Sequence, residues 1–206
     1  MARKQFGAVQ ILKGVNMLSI MIDIESLGNR PGAVILSIGA AAFDDRAIVA
    51  RFHKTINTPT CLEAGLSIDP DTAAWWSTQS SDAQQLLDRA ARFGESLGDV
   101  LLQFRHWFGQ VHGETAWANG ADFDLPILAH AYRACGLGGP PWRYTNTRCY
   151  RTLKNLRPDI ALVRIGDHHD ALHDAESQAM HAIILLRALQ ADTDASDAGQ
   201  SAMFDP

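Results

Sequence analysis

Two acidic residues, one position apart, follow a short apolar segment near the start of the chain. Leu18 to Ile22 is typical of a buried β-strand, and Asp23 and Glu25 come directly after it. Alternate residues of a strand point to the same side, so both carboxylates face one point in space. Burying unpaired carboxylates is costly, and a hard divalent cation would offset their repulsion. The sequence therefore predicts a cation site at the end of this strand.

Two further acidic segments are predicted where the chain enters a helix. They are residues 119–124, with the sequence NGADFD, and residues 168–174, with the sequence HHDALHD. Asp122 and Asp170 occupy positions typical of helix N-caps, and the second aspartate of each segment falls in the first helical turn, where it favours the helix dipole. Each of these aspartates alone has a structural explanation. Together with Asp23 and Glu25, however, they indicate a shared site.

Length and composition are those of one globular domain. The chain has 206 residues, of which 47% are hydrophobic and 20% charged, and it has no apolar run of the roughly 18 residues that span a bilayer. Residues 1–16 are predicted to be an N-terminal extension, 17–191 the globular domain and 192–206 a flexible C-terminal tail. Three scattered cysteines are typical of reduced thiols, which predicts a cytoplasmic location.

The predicted elements begin with strands and continue with helices. Strands at 17–25, 33–43 and 46–56 would form an antiparallel meander. The later elements are a strand at 115–119 and six helices. One short helix begins at about residue 70, and the others are predicted at 81–93, 96–110, 122–134, 147–156 and 170–191. This order predicts an α/β fold, with a mixed central sheet flanked by helices.

The three acidic segments together resemble the DEDDh group of 3′–5′ exonucleases, which includes oligoribonuclease, ribonuclease T and proofreading domains. Asp-x-Glu on the first strand, Asn-x-x-x-Phe-Asp opening a helix and His-x4-Asp opening the last helix occur in the order of that group, from residue 17 to about 190. The resemblance implies a ribonuclease H-like fold and release of nucleoside 5′-monophosphates from nucleic-acid 3′ ends. Residues 71–80 further resemble small phage and prophage exonucleases and mycobacterial exoribonuclease-like proteins.

The resemblance assigns a role to each matching residue. Asp23, Glu25, Asp124 and Asp174 match the four metal-binding acids, and His169 matches the general base. The x4 spacing selects His169 over the neighbouring histidines, and the Phe-Asp step selects Asp124 over the aspartate two positions earlier. Oxygen ligands suit two Mg²⁺ or Mn²⁺ ions per site, which would activate water and stabilise the leaving 3′ oxygen. A histidine with a pKa near ~6.5 accepts the proton of that water at neutral pH.

The charge distribution is compatible with a nucleic-acid partner despite a net charge of −5. Two divalent cations would offset most of that charge. Residues 143–164 also hold six positive side chains against one acid. Arg148 and Arg151 in this basic patch are candidate phosphate ligands, with a solvated helix face as the alternative. The predicted substrate is single-stranded or 3′-overhang DNA or RNA, and no side chain distinguishes the two sugars.

Further substrate contacts are predicted beside the acids. Leu27 is placed where the resembled family wedges an apolar side chain against the terminal base, and Asn119 opens the second motif. Trp75 and Trp76 are candidates for stacking on bases, with packing in the core or in a dimer as the alternative. Because dimers are common in the resembled family, a homodimer is a further partner that the resemblance implies.

Two other classes of protein remain open from the sequence alone. An HD-type metal-dependent nucleotide phosphohydrolase would use the His-Asp pairs of residues 168–174 and predicts an all-helical fold. It leaves Asp23 and Glu25 without a role. The non-enzyme alternative is a nucleic-acid-binding module that has lost catalysis, although all five matched positions are occupied.

Overall fold

The computed structural model describes residues 17–120, 122–166 and 169–202, with side chains given except at positions 82, 83 and 195–202. The N-terminal extension predicted at 1–16 lies outside the described residues. The strands are β1 (Leu18–Ser26), β2 (Ile35–Phe43), β3 (Ile48–Thr55), β4 (Gly113–Ala118) and β5 (Thr147–Cys149). The helices are α1 (Thr58–Glu63), α2 (Pro70–Trp76), α3 (Ser81–Arg92), α4 (Leu97–Gln110), α5 (Asp124–Ala134), α6 (Tyr150–Leu156) and α7 (Ala171–Ala202).

The strands form one mixed sheet in the order β3-β2-β1-β4-β5. β1, β2 and β3 pair antiparallel, whereas β4 pairs parallel with both β1 and β5. The carboxylate of Asp44 closes the hairpin between β2 and β3 by accepting backbone hydrogen bonds from Arg46 at 2.7 Å and Ala47 at 2.8 Å. The sheet confirms the predicted α/β fold with an antiparallel three-stranded start, and it excludes the all-helical fold of an HD-type phosphohydrolase.

The two faces of the sheet are covered by different helices. Ile20, Ile22 and Ile24 of β1 join a core cluster with residues of α4 and α5. Met21 joins the opposite cluster, where small residues of α7 such as Ala175 pack on the sheet. Since side chains alternate along a strand, the odd-numbered residues of β1 face α7. Asp23 and Glu25, the two acids predicted to hold a cation, therefore face this long helix.

The first turn of α7 lies unusually close to β2. A Cβ atom built on Gly39 would lie only 2.1 Å from the backbone of Ala171, so this position requires glycine. Gly39 is the register partner of Asp23 on β1. Close packing of helix on sheet therefore occurs beside the predicted acidic site.

Two helix starts differ from the sequence prediction. Asp122 is exposed and does not cap α5, which begins at Asp124 with Phe123 as its N-cap residue. Residues 147–149 pair with β4 as a short strand, so the helix predicted at 147–156 begins at Tyr150. A three-residue strand is too short to show a period of two, and the pairing comes from its tertiary position.

The start of α7 confirms one predicted cap, and its end differs from the prediction. The carboxylate of Asp170 accepts backbone hydrogen bonds from Leu172 at 3.0 Å and His173 at 3.1 Å. The helix continues to Ala202, well past the predicted end at 191. Among the described residues, every helix is too short or too polar to cross a bilayer.

Candidate active site

Three acids come together at the ends of the parallel strands β1 and β4. Asp23 and Glu25 lie on the α7 side of β1, and Gln178 of α7 donates a hydrogen bond to Asp23 Oδ1 at 2.9 Å. Asp124 opens α5 directly after β4, and its Oδ1 accepts the backbone N–H of Ile24 at 3.1 Å. Because that N–H lies between the two acids of β1, the hydrogen bond places all three carboxylates at one point.

The fourth acid, Asp174, reaches the same point from the first turn of α7. Arg164 donates to its Oδ1 at 2.5 Å, and the backbone N–H of His169 donates to its Oδ2 at 3.3 Å. Ligand atoms of Glu25, His169 and Asp174 all lie within 4.8 Å of one another. The predicted acids and the predicted base thus converge, although they come from three separate segments of the chain.

His169 is held between the acids and a pair of tryptophans. Its backbone has a φ of 64°, in the left-handed region that few non-glycine residues adopt. Its ring lies edge-on to Trp75, with centroids 5.2 Å apart, and to Trp76, with centroids 6.1 Å apart. Backbone conformation and aromatic packing together direct the imidazole toward the carboxylates.

The carboxylates repel one another in a poorly solvated site. Burial, followed by repulsion from Asp124, Glu25 and Asp174, raises the pKa of Asp23 well above its usual value. Burial raises the pKa of Glu25 to about 8, and repulsion from the carboxylate of Asp174 is the next largest cause. Burial also raises the pKa of Asp124 to about 7, against the backbone hydrogen bond from Ile24. Clustered oxygen ligands that resist ionisation without a counter-charge fit a hard divalent cation.

The acids line a cavity of about 420 Å³, a volume within the usual range of small-ligand sites. The four acids and His169 share its wall with Trp75, Trp76, Asn119, Arg151, Arg164 and Gln178. The Oδ1 atom of Asn119 is buried and has no hydrogen-bond partner among the described residues. Positively and negatively charged groups thus line the same cavity.

Two predicted substrate contacts lie away from this cavity. Leu27 is only 6% exposed and packs in the hydrophobic core. The pairing register shifts between Glu25 and Ser26, so Leu27 does not continue the alternation that places the acids on one side. Arg148 bends back and donates to the carbonyl oxygens of Thr145 and Thr147.

The other predicted contacts divide between core and cavity. Trp76 is 1% exposed, and its Nε1–H donates to the Ser26 carbonyl at 2.9 Å, so it packs in the core and also borders the cavity. Trp75 is 44% exposed beside the cavity. Arg151 lines the cavity and donates to the Asn119 carbonyl at 2.8 Å. Arg164 of the basic patch also lines the cavity, whereas Arg157 pairs with two surface aspartates.

Sequence reasoning missed two residues of the site. Gln178 lies one helical turn after Asp174 on the same face of α7, and this i, i+4 spacing was the available signal. Arg164 was assigned only to the basic patch. No local pattern could show its contact with Asp174, because that contact depends on the path of an irregular segment.

The fold matches that of a solved nuclease. The structure titled "Exonuclease X in complex with 5′ overhanging duplex DNA" is similar with a TM-score of 0.54 at 19% sequence identity, over 82% of this chain and 91% of that chain. At this identity the similarity concerns the fold, which is ribonuclease H-like as predicted. No curated protein sequence matches the chain. Fold and site together define a ribonuclease H-like α/β protein with a cluster of acids at the ends of its parallel strands.

A family comparison makes the assignment more specific. Residues 18–186 match the model of the family described as "3′-5′ exoribonuclease Rv2179c-like domain". The chain belongs to this family. The match includes the four acids and His169, and the superfamily predicted from the three motifs is confirmed.

Proposed function

We propose that the protein is a metal-dependent exonuclease that removes nucleotides one at a time from the 3′ end of a nucleic acid. The convergence of Asp23, Glu25, Asp124 and Asp174 with His169 in one cavity carries this proposal. Each turnover hydrolyses the terminal phosphodiester bond and releases a nucleoside 5′-monophosphate. The family match over residues 18–186 supports the polarity.

The four carboxylates are the proposed ligands of two Mg²⁺ or Mn²⁺ ions. Hard cations prefer oxygen ligands, and burial raises the pKa values of Asp23, Glu25 and Asp124 above their usual range. When bound, such ions lower the pKa of a water molecule and stabilise negative charge on the leaving oxygen. Gln178 and the Ile24 N–H hold Asp23 and Asp124 in fixed orientations, which limits the reorganisation needed on binding.

His169 is the proposed general base. Its ring accepts the proton of the attacking water as the new P–O bond forms and the bond to the 3′ oxygen breaks. The edge-on contacts with Trp75 and Trp76 orient the imidazole. A neutral imidazole near pH 7 suits proton transfer from an activated water.

The cavity wall offers groups suited to a terminal nucleotide. Arg151 brings positive charge to the wall, and guanidinium groups bind phosphate through paired hydrogen bonds. The buried Oδ1 of Asn119 has no partner among the described residues, and a donor on the substrate would satisfy it. Trp75 is exposed where a base could stack.

We infer that RNA is the preferred substrate, because the family description names an exoribonuclease. The matched Exonuclease X structure contains 5′-overhanging duplex DNA, so recessed DNA ends are the appropriate competitor. The experiment compares matched RNA and DNA strands with single-stranded, recessed and overhanging 3′ ends, each labelled at the 3′ nucleotide. With Mn²⁺, the label should appear first as a mononucleotide, and faster from RNA.

Two controls make this experiment decisive. Asp122→Asn is a matched variant, because Asp122 is exposed and lies outside the cavity lining; it should retain wild-type activity. Asp124→Asn should be inactive. A wild-type protein that degrades neither RNA nor DNA would contradict the exonuclease proposal. It would favour a nucleic-acid-binding module without catalysis.

A further inference from the structure

Arg164 is the one cationic side chain among the described residues that contacts a predicted metal ligand. Its Nη1 atom lies 2.5 Å from Asp174 Oδ1. The side chain is 46% exposed, whereas that of Asp174 is 14% exposed. The guanidinium therefore lies between a partly buried carboxylate and the open cavity that both residues line.

The segment carrying Arg164 is fixed to α7 on both sides of this contact. On one side the backbone N–H of Ile165 donates to Ser177 Oγ at 2.8 Å. On the other, His181 Nε2 lies 3.0 Å from the carbonyl oxygen of Ile160. Because a carbonyl oxygen only accepts, Nε2 carries the proton, and the Tyr150 hydroxyl at 2.6 Å donates to Nδ1. The two attachments hold the backbone, so that Arg164 can reach Asp174 and the cavity by side-chain rotation alone.

The contact occupies an oxygen that the proposed function requires. Arg164 takes Oδ1 of Asp174, and the His169 N–H takes Oδ2. A guanidinium and a divalent cation on the same oxygen would repel each other. The guanidinium side of this ion pair is open to solvent, which weakens the pair, so a divalent cation can displace the guanidinium. The displaced group would then face the cavity, where a phosphate offers it two oxygens in place of one.

We propose that Arg164 is an exchangeable counter-ion, which pairs with Asp174 until a divalent cation takes that oxygen and then binds the phosphate of the nucleotide in the cavity. The inference rests on the proposed function. It assigns Arg164 two partners in succession and makes metal and nucleotide binding mutually supportive, as linkage between two sites requires.

The test measures binding rather than turnover, with Arg164→Gln and the matched control Arg148→Gln. The Arg148 side chain donates to the backbone carbonyls of Thr145 and Thr147, and Arg148 lies outside the cavity lining. Calorimetry gives the affinity for Mn²⁺, and then the affinity for cytidine 5′-monophosphate at saturating Mn²⁺. Arg164→Gln should bind Mn²⁺ about two- to fivefold more tightly, since a competing cation is removed. It should bind the nucleotide about tenfold more weakly, since a charged hydrogen-bond donor is lost. The control should match the wild-type protein in both.

Arg164→Lys separates charge from shape. It keeps the competing charge but lacks the planar fork, so its Mn²⁺ affinity should stay near wild type while nucleotide affinity falls. Unfolding temperatures of all variants, measured without metal, identify any that do not fold. If Arg164→Gln misfolds, Arg164→Lys still decides the phosphate step.

Some results would overturn the exchange. Mn²⁺ affinity that is unchanged or weaker in Arg164→Gln contradicts the competition, and unchanged nucleotide affinity contradicts the transfer to phosphate. Wild-type protein that binds Mn²⁺ but leaves RNA and DNA intact contradicts the proposed function alone. The two failures are thus distinguished by binding and hydrolysis assays on the same preparations.

Discussion

The active site has two halves that are built differently. Asp23, Glu25 and Asp124 lie at the ends of paired strands, where backbone and side-chain hydrogen bonds fix their carboxylates. His169 and Arg164 lie on the segment that leads into α7, where backbone conformation is irregular and side chains are more exposed. In the proposed mechanism the sheet half supplies a fixed set of oxygens, and the segment half supplies His169 as the general base and Arg164 as the exchangeable counter-ion. The most fixed side chains are thus those that the proposed function assigns to metal binding.

The sheet half should show the largest effect of a single substitution. Asp23→Asn should lower hydrolysis by about 10³-fold, because it removes a charged ligand from the proposed metal pair. The metal-free protein should be at least as stable as wild type, since burial and three neighbouring acids already oppose the charge of Asp23. Single-turnover rates and unfolding temperatures measure the two effects, and Asp122→Asn is the control. A strongly destabilised Asp23→Asn protein would contradict this account of the site.

A substitution in the segment half should lower turnover without abolishing metal binding. His169→Ala should slow hydrolysis by about 10²-fold or more, the usual contribution of a general base. Its Mn²⁺ affinity should change little, because the four carboxylates remain. Calorimetry and single-turnover kinetics test this. Loss of Mn²⁺ binding would instead make His169 a metal ligand, which its closeness to Glu25 and Asp174 also allows.

Trp75 should act on the same half through the orientation of His169. Trp75→Ala should lower the turnover number by about tenfold, because a misplaced general base transfers a proton less efficiently. Trp75→Phe should recover most of that loss, since it keeps an aromatic edge. The control is Phe93→Ala, which removes an aromatic ring that is 78% exposed. A loss in Trp75→Ala that is expressed only in the Michaelis constant, with an unchanged turnover number, would indicate base stacking instead.

The smallest effect is on stability, and it should report the ionisation of Glu25 in the sheet half. Glu25 has its folded-state pKa raised from 4.5 to about 8, so between these values the folded protein holds a proton that the unfolded chain has lost. This contribution to stability is complete below the unfolded pKa and lost as pH rises through the folded pKa. The unfolding temperature without metal should therefore fall between pH 5 and pH 8 by a few degrees, ~5 °C.

Added metal should reverse this trend. Cation binding requires ionised carboxylates, so the stabilisation by Mg²⁺ should be larger at pH 8 than at pH 6. Unfolding scans with and without Mg²⁺ at both values measure it, with Glu25→Gln as the control. Because glutamine does not titrate, that variant should show a shallower pH dependence. A protein that becomes more stable from pH 5 to pH 8 without metal would contradict the raised pKa of Glu25.

The sheet half was easier to predict from the sequence than the segment half. An apolar strand ending in Asp23 and Glu25, and an Asp opening α5, are local patterns whose geometry follows from strand and helix periodicity. His169 and Asp174 were found through motif spacing. The contact of Arg164 with Asp174 depends on how residues 157–166 cross α7, and nothing periodic encodes that path.

Leu27 shows why even a local pattern can mislead. Strict alternation places it on the side of Asp23 and Glu25, but the register shift after Glu25 turns it into the core. β5 is recognised only through its pairing with β4. Such irregularities arise from tertiary packing, which propensity alone does not contain.

Gly39 determines how closely the start of α7 approaches the sheet. The strand that contains it carries no proposed ligand, yet a methyl group at this position would meet the Ala171 backbone at 2.1 Å. Any larger residue would have to lift the start of α7, and with it Asp174, from the acids of β1. A relative with a bulkier residue at this position could keep all three sequence motifs and still be unable to bring the four acids together. The position therefore offers a way to separate active from inactive sequences that the motifs themselves do not provide.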